Sequence, residues 1–315
     1  MVPRTAASIA GALAAMLLLS SPTLAQQANS ADPLIRAEGI VQVGPHTWVI
    51  PDNDVALVPN VGIVVGEQAT LVIDPGLGAR NGEVVAREAA RLSADGARIY
   101  VVATHYHPEH TTGFLGFPDD VQFIAATAQA EEFAESGESM IRTFASRSPL
   151  TAELLSGATV FPADITFDRE YTLDLGGVTV RFIRVGPTHT IGDTGVFVEG
   201  DGVLFAGDVV MNQSFLAATA VSSMAAWLAA FDTFQALEPK VIVPAHGAVG
   251  DGGLIAQNRM VMQAIQGRVQ AMKAAGRPEN EVVTTVQEEL RAQYPNWPRS
   301  NGIAAAARSA FREAP

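Results

Sequence analysis

The sequence predicts an α/β fold with two β-sheets held between outer layers of helix. Two runs of short strands, rich in β-branched and aromatic residues, begin at Ile40 and near Tyr171. Each run is followed by helical stretches, so apolar sheet faces and helix stripes can bury one another in layers. Between Val198 and Val203, Glu199-Gly200-Asp201-Gly202 has the composition of a hairpin turn.

The elements follow in order. Ile40–Val43, Thr47–Ile50, Val61–Val65 and Thr70–Ile73 are expected as a meander of strands separated by turn residues. Glu83 to Leu92 reads as an amphipathic helix with Val85, Ala89 and Leu92 on one face. Arg98 to Ala103 and Gln122–Ala125 read as strands, and Ala128 to about Leu155 as helical. Thr172–Leu175, Val178–Val185, Gly195–Val198 and Val203–Phe205 form the second strand set. Ala225 to Leu237 is a helix, and Val241 to Val243 a buried strand running toward His246. Leu254 to Ala275 is a long helix closed by Gly276 and Pro278, Asn280 caps Glu281 to Gln293, and Ile303 to Phe311 comes last.

The ends bound the organisation. Arg4, the apolar stretch Ala6 to Leu19 and Thr23-Leu24-Ala25 make residues 1–25 a secretory signal peptide, cut after Ala25. That implies a periplasmic or secreted protein with no membrane span left after cleavage, since no later segment is apolar enough to cross a bilayer. Residues 26–39 are expected as a flexible lead-in, polar from Gln26 to Pro33. No linker-like composition precedes the C-terminal helices of residues 254–311, so residues 40–315 are expected as a single domain.

Composition narrows the chemistry. The formal charge is −13, and cleavage of the leader removes one further positive charge with Arg4. So acidic a chain does not suit nucleic acid, whose binding relies on Lys and Arg; a small-molecule substrate is expected. Cysteine is absent, which removes every thiolate ligand and nucleophile. About 290 mature residues can bury a core without disulfide staples.

Three of the six histidines lie in Thr104-His105-Tyr106-His107-Pro108-Glu109-His110, directly after the Arg98–Ala103 strand. Pro108 suits the first turn of a helix, which Glu109 and His110 would start. Two imidazoles two residues apart can converge on one ion, while Glu109 and His110 reach a second site nearby. Imidazoles crowded without a metal would repel on protonation and gain nothing otherwise. The segment reads as a metal centre.

These residues resemble the metallo-β-lactamase superfamily of zinc hydrolases, whose signature is H-x-H-x-D-H. Leu71-Val72-Ile73-Asp74-Pro75-Gly76 is similar to its early strand and Asp-Gly turn, and Gly186-Pro187-Thr188-His189-Thr190-Ile191-Gly192-Asp193 to its third motif. Leu204-Phe205-Ala206-Gly207-Asp208 and Val243-Pro244-Ala245-His246-Gly247 resemble the fourth and fifth. The likeness spans residues of about 40 to 250 and implies a four-layer αββα metallo-β-lactamase sandwich, with the metal site at one edge of the sheets. It places five histidines on ligand positions and leaves only His46 over.

Carried over, the resemblance implies two Zn2+ ions per chain: one on His105, His107 and His189, one on Glu109, His110 and His246, with Asp208 bridging. Glu109 and Asp208 would be the catalytic carboxylates, beside a metal-held hydroxide that attacks a carbonyl. Asp74 is expected to orient the histidine loop, and Asp193 to cap a turn near His189. Trp48 and Trp227 read as core, His46 as a surface strand residue, and Asn212, Gln213 and Ser214 as candidates to face substrate. Glu109 departs from the family's aspartate by one methylene, which bears on occupancy of the second site.

The substrate is less constrained. Asp208 stands where some β-lactamases of the superfamily carry cysteine, Thr111 where some carry a further histidine, and no lysine follows Asp208 closely. These features resemble the glyoxalase II and general hydrolase branch; export suits antibiotic hydrolysis. A β-lactam is the leading named substrate, with a thioester, ester or lactone as the alternative. Further alternatives are a periplasmic metallohydrolase accompanying quinoprotein oxidation systems, and a metal- or partner-binding protein without turnover. Pocket-lining loops are expected at Leu57–Asn60, Ala128–Leu155 and Asn212–Ser223.

Overall fold

In a computed structural model that describes residues 31–315, side chains alternate sharply along the strands. On β3 (Val61–Val65) Val64 points one way while Val61 and Ile63 point the other. On β4 (Ala69–Ile73) Leu71 and Ile73 are separated in the same manner from Val72. β5 (Arg98–Val102) and β6 (Gln122–Ala126) repeat the pattern, with Val102 and Ile124 opposed to Val101 and Phe123. A two-residue period of this kind, apolar on both faces, is that of a sheet covered on both sides.

With β1 (Val41–Gly44), β2 (Thr47–Ile50) and β7 (Ile165–Phe167), these strands form a seven-stranded sheet in chain order. β1 to β4 pair antiparallel, and β4 to β7 pair parallel. The second sheet has five strands in the order β12-β11-β10-β9-β8. They are β8 (Glu170–Asp174), β9 (Thr179–Arg184), β10 (Thr194–Val198), β11 (Val203–Gly207) and β12 (Val241–Pro244). Only β11 and β12 pair parallel there.

Leu71, Ile73, Val102 and Ile124 of the first sheet meet Phe182, Val196, Phe205 and Val243 of the second in one apolar cluster between the sheets. Outside the first sheet lies α1 (Gly78–Leu92), whose Val85 and Ala89 pack on Val61, Ile63 and Val72. The same side carries α2 (Pro108–Thr111), α3 (Thr127–Ala145) and α4 (Pro149–Leu154). Outside the second sheet, Phe197, Leu204 and Ala206 meet Trp227 and Phe231 of α5 (Met224–Ala236). Residues of α6 (Gly253–Ala274), α7 (Glu279–Gln293) and α8 (Gly302–Glu313) join that cluster, Val261, Val286 and Ile303 among them. The layers run helix, sheet, sheet, helix.

Several expectations need correction. The expected Ala128–Leu155 helix is two, because Ser148 caps α4 through Thr151 N with Pro149 in its first turn, and the chain must leave helical geometry there. β7 escaped notice because three residues carry too little pattern. α7 starts at Glu279 with Pro278 at its N-cap, so Asn280 is not the cap. His46 sits exposed in the β1–β2 turn rather than in a strand, and Trp48 is only half-buried. The lead-in expected to be flexible over residues 26–39 is packed from Pro33 on: Asn81 Oδ1 accepts from Ile35 N at 2.9 Å, and its amide donates to Pro33 O at 2.9 Å. The expected signal peptide of residues 1–25 lies outside the described residues. Among the described residues no helix is long and apolar enough to cross a membrane.

Candidate metal centre

Strand direction assembles the site. β4 and β5 run parallel, as do β11 and β12, so the residues following their C-terminal ends gather at one edge. Asp74 follows β4, His105 and His107 follow β5, Asp208 follows β11, and His246 follows β12. The loop between β9 and β10 brings His189. Pro108 takes a first-turn position of α2, so the chain turns helical at once and carries Glu109 and His110 inward, both buried.

Two donor clusters result. One nitrogen each from His105, His107 and His189 lie within 4.8 Å of one another, and so do donor atoms of Glu109, His110 and His246. In the first, His107 Nδ1 is 3.1 Å from both His105 Nε2 and His189 Nε2. Tetrahedral ligands about 2.0 Å from one ion stand roughly 3.3 Å apart, so this spacing matches a shared ion. Asp208 lies between the clusters. Its Oδ2 is 3.7 Å from His189 Nε2, and its Oδ1 is 4.0 Å from His246 Nε2. One carboxylate oxygen faces each cluster.

Surrounding groups set the ring orientations. His189 Nδ1 donates to Ala217 O at 2.5 Å, and His246 Nδ1 to Val58 O at 2.9 Å, leaving each Nε2 lone pair for the interior. Asp74 accepts from Thr104 N at 2.6 Å and Thr104 Oγ1 at 2.9 Å, and its Oδ2 lies 3.1 Å from His110 Nδ1. Asp74 thus touches both the turn that starts the histidine segment and one of its rings. Asp193 accepts from Thr188 Oγ1 and from Thr190 N at 2.9 Å, closing the turn that carries His189. Glu132 of α3 accepts from Ile191 N at 3.0 Å in the same loop, and burial pushes its carboxyl up to about 7.

Electrostatics follow from burial. His105 and His107 are pushed well below the ordinary imidazole value, first by burial and then by the neighbouring rings. His246 falls to about 3, again by burial and then by the charge of Arg299. For His110 burial pulls downward too, yet Asp74 and Glu109 outweigh it and lift the ring to about 9. Burial would raise Asp208, but Arg299 and the surrounding histidines hold it well below the usual carboxylate range. Burial raises Glu109.

A metal fits these residues by a direct criterion. Glu109 Oε2, His110 Nε2 and Asp208 Oδ1 are buried with no hydrogen-bond partner among the described residues. Such atoms cost about 1–3 kcal/mol each unless something binds them. All three belong to the second cluster or to Asp208 beside it, where a cation would satisfy them together.

A family model for the metallo-beta-lactamase superfamily matches residues 55–246, more than half of the chain. The chain belongs to that superfamily. Solved metallo-beta-lactamase folds are similar to it. A metallo-beta-lactamase from Pontibacter korlensis matches at TM-score 0.55 and 20% identity, over 71% of this chain and 98% of its own. A metallo-beta-lactamase family protein from Thermus thermophilus matches at 0.59 and 18%, over 86% and 95%. A stereoselective inverting sec-alkylsulfatase from Pseudomonas sp. matches at 0.61 and 18%, over 87% of this chain but 50% of its own. At such identities the likeness is one of fold. No curated protein matches the chain.

The metallo-beta-lactamase fold thus brings together all seven residues singled out as ligands, with Asp74 behind them. The three segments expected as pocket-lining loops touch the site through Val58 O, Ala217 O and Phe144, the last on helix α3 rather than a loop, with its ring centroid 5.9 Å from that of His107. Sequence reasoning missed Asp52, and placed Asn60 only in a pocket-lining loop; both clamp the His246 loop, Asp52 Oδ2 accepting from Gly247 N at 2.7 Å and Asn60 Nδ2 donating to Pro244 O at 2.9 Å. It also missed Arg299, whose Nη1 donates to Asp208 Oδ2 at 2.9 Å from 91 residues away. Nothing in a polar break between two helices marks such a residue.

Proposed function

We propose that the chain is an exported zinc-dependent hydrolase of small carbonyl substrates, with a β-lactam the leading named candidate. The observation that carries this reading is Asp208, set between two three-residue donor clusters with one oxygen toward each. His105, His107 and His189 would hold one ion, Glu109, His110 and His246 the other, and Asp208 both. Imidazole and carboxylate donors without cysteine suit zinc. Bound there, divalent ions supply Lewis acidity and lower the pKa of water to about 7, so no serine or cysteine nucleophile is required.

The chain's own residues prepare the site. Burial keeps His105, His107 and His246 neutral, so they bring lone pairs without charge. The backbone oxygens of Ala217 and Val58 hold His189 and His246 in the tautomer that offers Nε2 inward. Asp74 orients His110, whose Nδ1 lies 3.1 Å from its Oδ2. Glu109 and Asp208 supply the negative charge beside the reacting centre. Export follows from the leader of residues 1–25.

A specific observation favours a second reading. Asp208 stands in the place of a cysteine, and no lysine occurs between Val209 and Ser223, which suits an ester, thioester or lactone. The mature chain should be offered a chromogenic cephalosporin, an aryl ester and a glutathione thioester. Cephalosporin turnover that a chelator abolishes and zinc restores is the expected result. Turnover of the ester or thioester alone moves the substrate to the second reading, and bound zinc with no turnover of any removes the hydrolase reading.

A further inference from the structure

Arg299 reaches the centre from outside the segment that the family model covers, residues 55–246. It lies between α7 and α8, in a stretch tied to the loop after Asp208. Phe215 N donates to Pro298 O at 3.2 Å, and the Phe215 ring meets the stacked rings of Tyr294 and Trp297 edge-on. The backbone of Arg299 is left-handed, with φ of 62°. That conformation costs of order 1 kcal/mol for a residue other than glycine, and persists where the surroundings hold it.

The guanidinium is half engaged. Nη1 donates to Asp208 Oδ2, whereas Nη2 and Nε have no partner among the described residues, and 29% of the side chain is exposed. The other donors of a planar fork are therefore left without a partner on a side chain that solvent reaches. Charge points the same way. Arg147 lies 3.6 Å from the centroid of Phe144, which neighbours His107, so a second guanidinium flanks the opposite cluster member. Two divalent ions, if bound against the carboxylates of Glu109 and Asp208, would leave an excess of positive charge, and Arg299 would add to it. In a chain of net charge −13 this concentrates attraction for anions at one place.

We infer that Arg299 anchors an anionic group of the substrate, a carboxylate or an equivalent oxyanion, beside the group that is hydrolysed. This rests on the metal-centre reading above and adds the substrate's charge class. The C-terminal helical layer thus supplies a specificity residue as well as packing. Arg299 also hydrogen-bonds Asp208, so its loss lowers turnover of charged and uncharged substrates alike, and the anchor is read from the preference between them.

The test compares 4-nitrophenyl butyrate with 4-nitrophenyl hemisuccinate, which replaces the terminal methyl by a carboxylate. The mature zinc-loaded chain is used with Arg299→Gln and Arg299→Lys, and zinc per chain is counted for each. The expected result is a preference for the hemisuccinate of about ten-fold or more in kcat/KM, as a charge-assisted contact gives. Arg299→Gln removes it mainly through KM, and Arg299→Lys restores part. Succinate titrated against Trp297 fluorescence gives a readout free of turnover, with affinity about ten-fold weaker in Arg299→Gln. Equal treatment of both esters by the unaltered chain, or zinc lost from Arg299→Gln, overturns the inference while the metal centre stands. An unaltered chain that binds no zinc overturns the metal centre and this inference with it. If zinc binds but neither ester turns over, succinate affinity lost in Arg299→Gln still supports the anchor, and unchanged affinity overturns it.

Discussion

Glu109 carries one methylene more than the aspartate of the H-x-H-x-D-H signature, yet it is buried and offers a donor atom to the cluster of His110 and His246. Its Oε1 is 3.9 Å from His110 Nε2. Metal bonds tolerate changes of about 0.2 Å, so the longer side chain has to be matched by its surroundings. Glu109→Asp should therefore leave zinc on the first cluster and change occupancy or turnover at the second; identical metal titrations and kinetics would remove any special role for the glutamate. Glu132, which accepts from Ile191 N in the loop that carries His189, offers a pH test. Its carboxyl titrates near 7 when folded against 4.5 in the unfolded chain, so the protonated form is favoured by folding. The associated stability is present below 4.5 and is lost as pH rises through about 7. Thermal melts of Glu132→Gln should converge on or fall below the wild type at pH 4.5 and gain on it toward pH 8; a difference independent of pH would refute the shift. The ligand set was legible at this scale because its residues fall in short local motifs. Arg299 was not, because only the folding of α7 and α8 onto the Asp208 loop brings it in.

At the scale of elements, α1 and the one-turn 3-10 helix Thr112–Gly116 approach so closely that backbone nearly meets backbone. A Cβ on Gly82 would stand 1.7 Å from Gly113 O. In an open helix Gly→Ala would gain about 0.5–1 kcal/mol, but here the overlap dominates and about 1–3 kcal/mol is lost. Gly82→Ala should melt several degrees lower and, since Gly113 follows the His110 turn, bind zinc less tightly; a raised melting temperature would show that the two elements can part without cost. Strands β2 and β3 were legible to the residue because alternation and β-branching agree there. Boundaries drifted where a side chain elsewhere decides. α1 begins at Gly78, ahead of Glu83, because Gly78 N donates to Thr112 Oγ1 across the layer. No local pattern contains that contact.

Over the whole molecule, the αββα order was legible from the grouping of strands and helices, and the family motifs agree with it. The relation of the C-terminal helices to the site was not, because their apolar faces describe a core without saying which loop they cover. Val261, Ile265 and Ile303 share a cluster with Leu204 and Ala206 of β11, the strand that ends at Asp208. Metal binding would therefore couple to folding, since an ion that binds only the folded chain adds stability that grows with its affinity. A chelator should lower the melting temperature, and zinc should restore it. The most direct test is the number of zinc ions per mature chain, counted by elemental analysis after dialysis and compared with Asp208→Ala. Two ions in the unaltered chain and fewer in the variant are expected. A chain that takes up none, yet hydrolyses substrate at full rate, would contradict the account.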